Sequence, residues 1–221
     1  MIQRFTTLLF ILPFLIAACS DSATTEQAAT AETAEAQQAE PKNEVLDLPP
    51  KVERPLSPTP ITHLAMDKPY NFITPVSEEY NKNAERAMLD GVTWKRDGVP
   101  LPHDTWLGYR EDAFAIQIDS EEPMTLKRIA LNCYQEPEAH IYWPARIDFA
   151  WSNDGENFEI IQRVSNTGMS NNTGVIKFTS KTPKEPIRYL RVAAYNRNAI
   201  PDGFPGAGTR PWTFVDEVIV K

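Results

Sequence analysis

The chain has 221 residues, a formal charge of −8 and an apolar fraction of 42%. That length allows one domain with extensions, and the apolar fraction suffices for a core. The acidic balance argues against non-specific nucleic-acid binding and against electrostatic docking on anionic lipid.

Residues 1–18 read as a secretion signal. Arg4 supplies the positive start, and Leu8 to Ile16 is an apolar stretch interrupted by Pro13. It is shorter than the roughly 20 apolar residues a membrane span needs. The run Ile16-Ala17-Ala18-Cys19 resembles the lipobox of bacterial lipoproteins. The resemblance implies a lipid on the Cys19 thiol and cleavage before it; the alternative is an ordinary secretory signal with an incidental Cys. Two or more acyl chains anchor stably, since each buried CH₂ contributes about 0.8 kcal/mol. Ser20 after the Cys implies export to the outer membrane, which Asp21 weakens slightly. The expected location is the bacterial cell envelope, held by the lipid anchor alone.

Residues 19–68 form a tether in this reading. Ser20 to Pro60 is rich in Ala, Thr, Glu, Gln and Pro and contains no aromatic residue. It cannot bury enough surface to offset chain entropy. As a coil of some 40 residues it spans on the order of 35 Å.

The folded domain is expected over 69–221 as short strands between turns. Tyr70 to Thr74 opens it. Phe114 to Ile118 alternates apolar and polar residues, and Leu126 to Cys133 is largely apolar. Arg146 to Trp151 alternates again and runs into Ser152-Asn153-Asp154-Gly155, where Asp-Gly predicts a hairpin. Phe158 to Val164, Gly174 to Phe178, Ile187 to Tyr195 and Thr213 to Val220 complete the set. A single helical turn is expected near Glu78 to Met88. The pattern predicts an all-β, antiparallel sandwich. With Cys19 lipidated, Cys133 has no intrachain partner, and its apolar run makes it a buried strand residue.

Several motifs follow one another in order. Leu89-Asp90-Gly91 precedes Trp94, then Thr105-Trp106-Leu107-Gly108-Tyr109, then Trp151-Ser152-Asn153-Asp154-Gly155-Glu156-Asn157-Phe158, then Arg188-Tyr189-Leu190-Arg191-Val192, and last Trp212-Thr213-Phe214-Val215-Asp216-Glu217-Val218. This order, over about Pro69 to Lys221, resembles the discoidin (coagulation factor 5/8 type C) family of galactose-binding-like jelly rolls. It looks closest to the C-terminal module of bacterial family 20 β-hexosaminidases. The resemblance implies a jelly-roll β-sandwich and a non-catalytic carbohydrate-binding module. A hexosaminidase barrel needs about 250 residues, which the chain lacks.

Sugar recognition needs a flat aromatic face and a few planar polar groups. Aromatics gather in three expected loops. One holds His140, Tyr142, Trp143 and Arg146; a second holds Asn196, Arg197, Phe204 and Trp212; Trp94 with Lys95 and Arg96 forms a third. Core or loop-anchoring roles compete for the tryptophans, most of all for Trp151 on its alternating strand and for Trp212 beside the last strand. Arg188 and Arg191 read as structural ion pairs or as lining of a sheet face. The family resemblance also implies one structural Ca²⁺. By motif position its ligands are Ala87, Asp90, Thr105 and Glu217, with Asp97 or Asp104 as possible additions. The segment from Asp90 to Thr105 is longer than the family's usual spacing, so the ligand set stays open, and solvated or ion-paired carboxylates are the alternative.

No nucleophile elbow, phosphate loop or dinucleotide motif occurs, and no two of the three His share a metal-ligand spacing. Glu136 and Glu138 read as solvated loop charges. The resemblance implies a glycan of galactose or N-acetylhexosamine type as the partner. The alternative is an envelope protein docked on a module that has lost its sugar site.

Overall fold

The computed structural model describes residues 58–81, 84–94 and 101–221. The expected signal segment, Cys19, most of the tether, and Lys95, Arg96 and Asp97 lie outside the described residues. The strands are β1 (Thr59–Pro60), β2 (Tyr70–Phe72), β3 (Val92–Thr93), β4 (Leu107–Tyr109), β5 (Ala113–Met124), β6 (Ile129–Gln135), β7 (Arg146–Ser152), β8 (Glu159–Ser165), β9 (Gly174–Ser180), β10 (Ile187–Tyr195) and β11 (Thr213–Val220). Among the described residues, helix is confined to short 3₁₀ turns at Glu78–Tyr80, His103–Thr105 and Pro137–Ala139.

Two antiparallel sheets face each other. One runs in the order β2-β5-β10-β7-β8, the other β4-β11-β6-β9, and β1 pairs with β3 separately. Strand β10 shows why alternating residues make a sandwich. Ile187, Leu190, Val192 and Ala194 are buried, while the residues between them are half-exposed. They meet Phe114, Ile116, Ile118, Ile147 and Phe149 of their own sheet and Leu131, Cys133, Val215 and Val218 of the other. Strands β6 and β11 are buried on both faces. Their outer face carries a second cluster, Leu101, Trp106, Tyr134, Ile141 and Phe214, supplied largely by loops.

A bulge in β11 places two acids beside each other. Val215 faces Cys133 and Val218 faces Leu131, so Asp216 and Glu217 share the place opposite Asn132. A bulge re-aims side chains off the ladder. Asp216 accepts from Asn132 Nδ2 at 2.7 Å, and Glu217 Oε1 accepts from the Gly91 amide at 3.3 Å.

The folded unit starts earlier than the sequence suggests. Residues 58–68, assigned to the tether, lie along the domain. Ile61 N–H donates to Gly91 O at 2.7 Å, Leu64 N–H to Val220 O at 2.7 Å, and Ala65 is fully buried in the main core. These bonds run through backbone atoms, which is why a Pro-rich, non-periodic segment conceals them. The expected hairpin forms: Trp151 pairs with Glu159, and Gly155 takes a φ of +80°.

Candidate functional site

A cleft of about 580 Å³ opens beside Trp143, walled by Asn171, Asn172, Thr173, Gly174, Val175 and Ile176. Its position follows from three tethers. Strand β6 ends at Gln135, which is 1% exposed. Gln135 Nε2 donates to Ser170 O, Ser170 Oγ and Asn172 O at 3.1, 3.1 and 2.9 Å, while its Oε1 accepts from Trp143 N at 3.4 Å. One buried amide thus fixes both the floor and the wall. Arg197 Nη2 holds the same loop further back, at Asn166 O and Gly168 O, 2.7 and 2.8 Å away. Asn166 closes the frame: its amide donates to Ala145 O and its Nδ2 to Pro144 O.

Trp143 packs one side on the main core and is half-buried, with its Nε1 enclosed and without a partner among the described residues. Asn171 and Asn172 are exposed. An indole with amides at its rim can present a flat face to the C–H side of a sugar ring and planar groups to its hydroxyls.

The other sequence-selected residues mostly build this end of the domain. His140 has a φ of +57°, and its carbonyl accepts from the Trp212 amide at 2.9 Å. Its ring lies on Gly206, where a Cβ would stand 2.7 Å from His140 Cδ2. Tyr142 is fully buried, its hydroxyl donates to Pro205 O at 2.9 Å, and its ring meets Phe204 edge-on. Its ring therefore has no free face for a sugar, because hydrophobic burial and the Pro205 bond claim it. Asn196 is spent on Pro211 O, Arg197 N and Thr213 Oγ1. Arg146 lies over the Tyr195 ring at 3.9 Å and pairs with Asp148 at 2.9 Å. Trp212 packs edge-on against Tyr80 at 4.9 Å, with Arg110 over it. Trp94 joins the second cluster, and its amide donates to Asp216 at 3.3 Å. Of the selected set, only Trp143 lines the cleft.

The 166–173 loop and Gln135 escaped the sequence reading. The Ser170-Asn171-Asn172 run is the signal that marks the loop. Gln135 carried none, since a polar residue at a strand end reads as a boundary. Glu136 is not a solvated charge: its Oε2 lies 2.6 Å from His103 Nε2 and accepts from the Tyr134 hydroxyl at 2.7 Å.

The residues implied for calcium surround the β11 bulge. Ala87 is buried, and Val218 N–H donates to Met88 O next to it. Asp90 Oδ1 accepts from Val92 N–H at 2.8 Å, and the Thr105 hydroxyl donates to Pro102 O at 2.7 Å. Glu217 Oε1 lies 2.6 Å from His63 Nε2. Burial pushes Glu217 up to about 9, with the Asp90 charge adding to it, and burial pushes His63 down to about 4. Asp216 is driven well above the carboxylate range by burial.

No family model matches the sequence, and no curated protein matches it. Solved structures do resemble the domain. A chitosan-binding module of a chitosanase/glucanase from Paenibacillus sp. IK-5 aligns at 19% identity and a TM-score of 0.44, over 72% of this chain and 98% of that one. A module of a Clostridium perfringens protein aligns at 14% and 0.43, over 72% and 98%. The C-terminal domain of a Bacteroides fragilis chitobiase aligns at 18% and 0.39, over 72% and 97%. At such identities the likeness says nothing about the site.

Proposed function

We propose that the chain is a lipid-anchored envelope protein presenting a non-catalytic glycan-binding module, with the sugar seated on Trp143. The cleft of about 580 Å³ carries the reading. Its size suits a small ligand, since such sites measure roughly 300–1,000 Å³, and an aromatic floor with asparagines at the rim matches what a sugar requires. The galactose or N-acetylhexosamine class rests on the discoidin resemblance. The anchor rests on the Ile16-Ala17-Ala18-Cys19 sequence, and an outer-membrane location rests on Ser20.

One experiment tests both halves. Membrane and soluble fractions of cells making the chain are screened against a glycan panel. Binding is expected in the membrane fraction, and Cys19→Ser moves it to the soluble one. Trp143→Ala weakens it by about tenfold or more, as loss of a central aromatic anchor does. Binding that stays with the membranes in Cys19→Ser removes the anchor. Silence across galactose-, N-acetylhexosamine- and peptidoglycan-type ligands removes the glycan reading. Docking on an envelope protein then takes its place, with the exposed Ile176 on the same rim in its favour.

A further inference from the structure

Three of the side-chain oxygens that the resemblance assigns to calcium already meet protein groups: Glu217 Oε1, Asp90 Oδ1 and the Thr105 hydroxyl. Glu217 Oε1 and His63 Nε2 stand 2.6 Å apart, and both side chains are fully enclosed. Calcium takes oxygen ligands, six to eight of them at about 2.3–2.6 Å, and an imidazole nitrogen is not one. At 2.6 Å the pair is hydrogen-bonded. The Gly91 amide takes the same Oε1, the Val92 amide takes Asp90 Oδ1, and Thr105 turns its hydroxyl to Pro102. Among the described residues Glu217 Oε2 has no hydrogen-bond partner, and the side facing Oε1 is taken by an imidazole and not by an oxygen.

His63 is not a side chain that has swung in by chance. Its segment is held by β1 pairing with β3, by Ile61 on Gly91 and by Leu64 on Val220. Gly91 has a φ of +73°, and a Cβ there would lie 2.7 Å from Ile61 O and 2.8 Å from Met66 Cε. The turn that would cradle a cation is closed by the arm that carries the imidazole.

We infer that His63 fills the position a calcium ion would take beside Glu217, so that the fold is calcium-independent. The glycan reading is not needed for this. The test is thermal unfolding of the purified protein in calcium and in EDTA. For a site with a Kd near 10⁻⁴ M, about 10 mM calcium would raise Tm by roughly 5–10 °C. The expected shift for the natural chain is nil, and a rise of that size overturns the inference. His63→Ala lowers Tm and opens the position, so calcium now restores part of the loss. A folded His63→Ala protein indifferent to calcium also overturns it. His63→Gln keeps an N–H for Glu217 and is expected to stay indifferent. If His63→Ala does not fold, the natural chain decides alone.

Discussion

Gln135 uses both ends of its amide on one loop and one strand exit. Three acceptors lie around its Nε2, and the Trp143 amide lies at its Oε1. Gln135→Ala strips partners from groups around a buried side chain, a loss of about 1–3 kcal/mol. Urea unfolding should show that loss, and glycan binding should weaken in the same protein although Trp143 is intact. Unchanged affinity at the lower stability would detach the 166–173 loop from the sugar site. Conversely, Gln135→Glu keeps the size but faces a carboxylate toward two carbonyls, so it is expected to fail as Ala does. Residues with this role are hard to see in a sequence. Trp143 was visible because aromatics in loops stand out. Gln135 matters through where β6 ends, which only tertiary pairing decides. Tyr142 misleads for the opposite reason: beside a Trp it reads as a sugar platform, while its ring is buried and its hydroxyl donates to Pro205 O.

At the level of elements, the join between β5 and β10 is irregular. Ile187 faces Met124, yet Tyr189 faces Asp119, so two steps on β10 span five on β5. Ser120 Oγ bridges the excess by donating toward Glu122 O and Arg188 O, and Glu121 takes a φ of +68°. Arg188 then grips Asp119 with both arms of its fork, at 2.8 and 3.0 Å. That hydrogen bond chiefly holds the Asp119 carboxyl below its ordinary value. A depressed carboxylate pKa gives stability that is present above the unfolded value and lost as pH falls through the folded one. Melting temperature should therefore fall on acidification below the ordinary aspartate range. Asp119→Asn should flatten that limb while lowering the plateau near neutrality. The effect is modest because solvent reaches both partners. An acid limb identical in Asp119→Asn would deny the pair this role. Alternation revealed Phe114 to Ile118 and missed the rest of β5, since Asp-Ser-Glu-Glu-Pro reads as a turn until Arg188 supplies a partner. Most long strands were legible in the same way. The two-residue β1 and β3 were not, because so short a pairing has no period.

For the whole molecule, the sandwich closes over Cys133. It lies on β6, flanked by β11 and β9, and is fully buried in the core shared by both sheets. Burial drives its thiol well above the ordinary cysteine value, so neither access nor ionisation favours reaction while the sheets stay closed. A thiol reagent should label Cys133 in a Cys19→Ser protein only through opening. If opening is global, labelling is slowed by the folding equilibrium, typically about 10³-fold or more. The free energy from labelling should then equal that from urea unfolding. Strand β9 is the edge of its sheet, and its first residues Gly174, Val175 and Ile176 wall the Trp143 cleft. Labelling much faster than global unfolding would mean that β9 lifts away by itself. A saturating sugar in the cleft would then slow the labelling, because a ligand bound to the closed form alone shifts the opening equilibrium. With global opening only, the sugar would slow labelling and raise urea stability by the same amount. Only the local pattern ties the core thiol to the binding cleft through one edge strand, and there a bound sugar that leaves labelling unchanged would place its site away from β9.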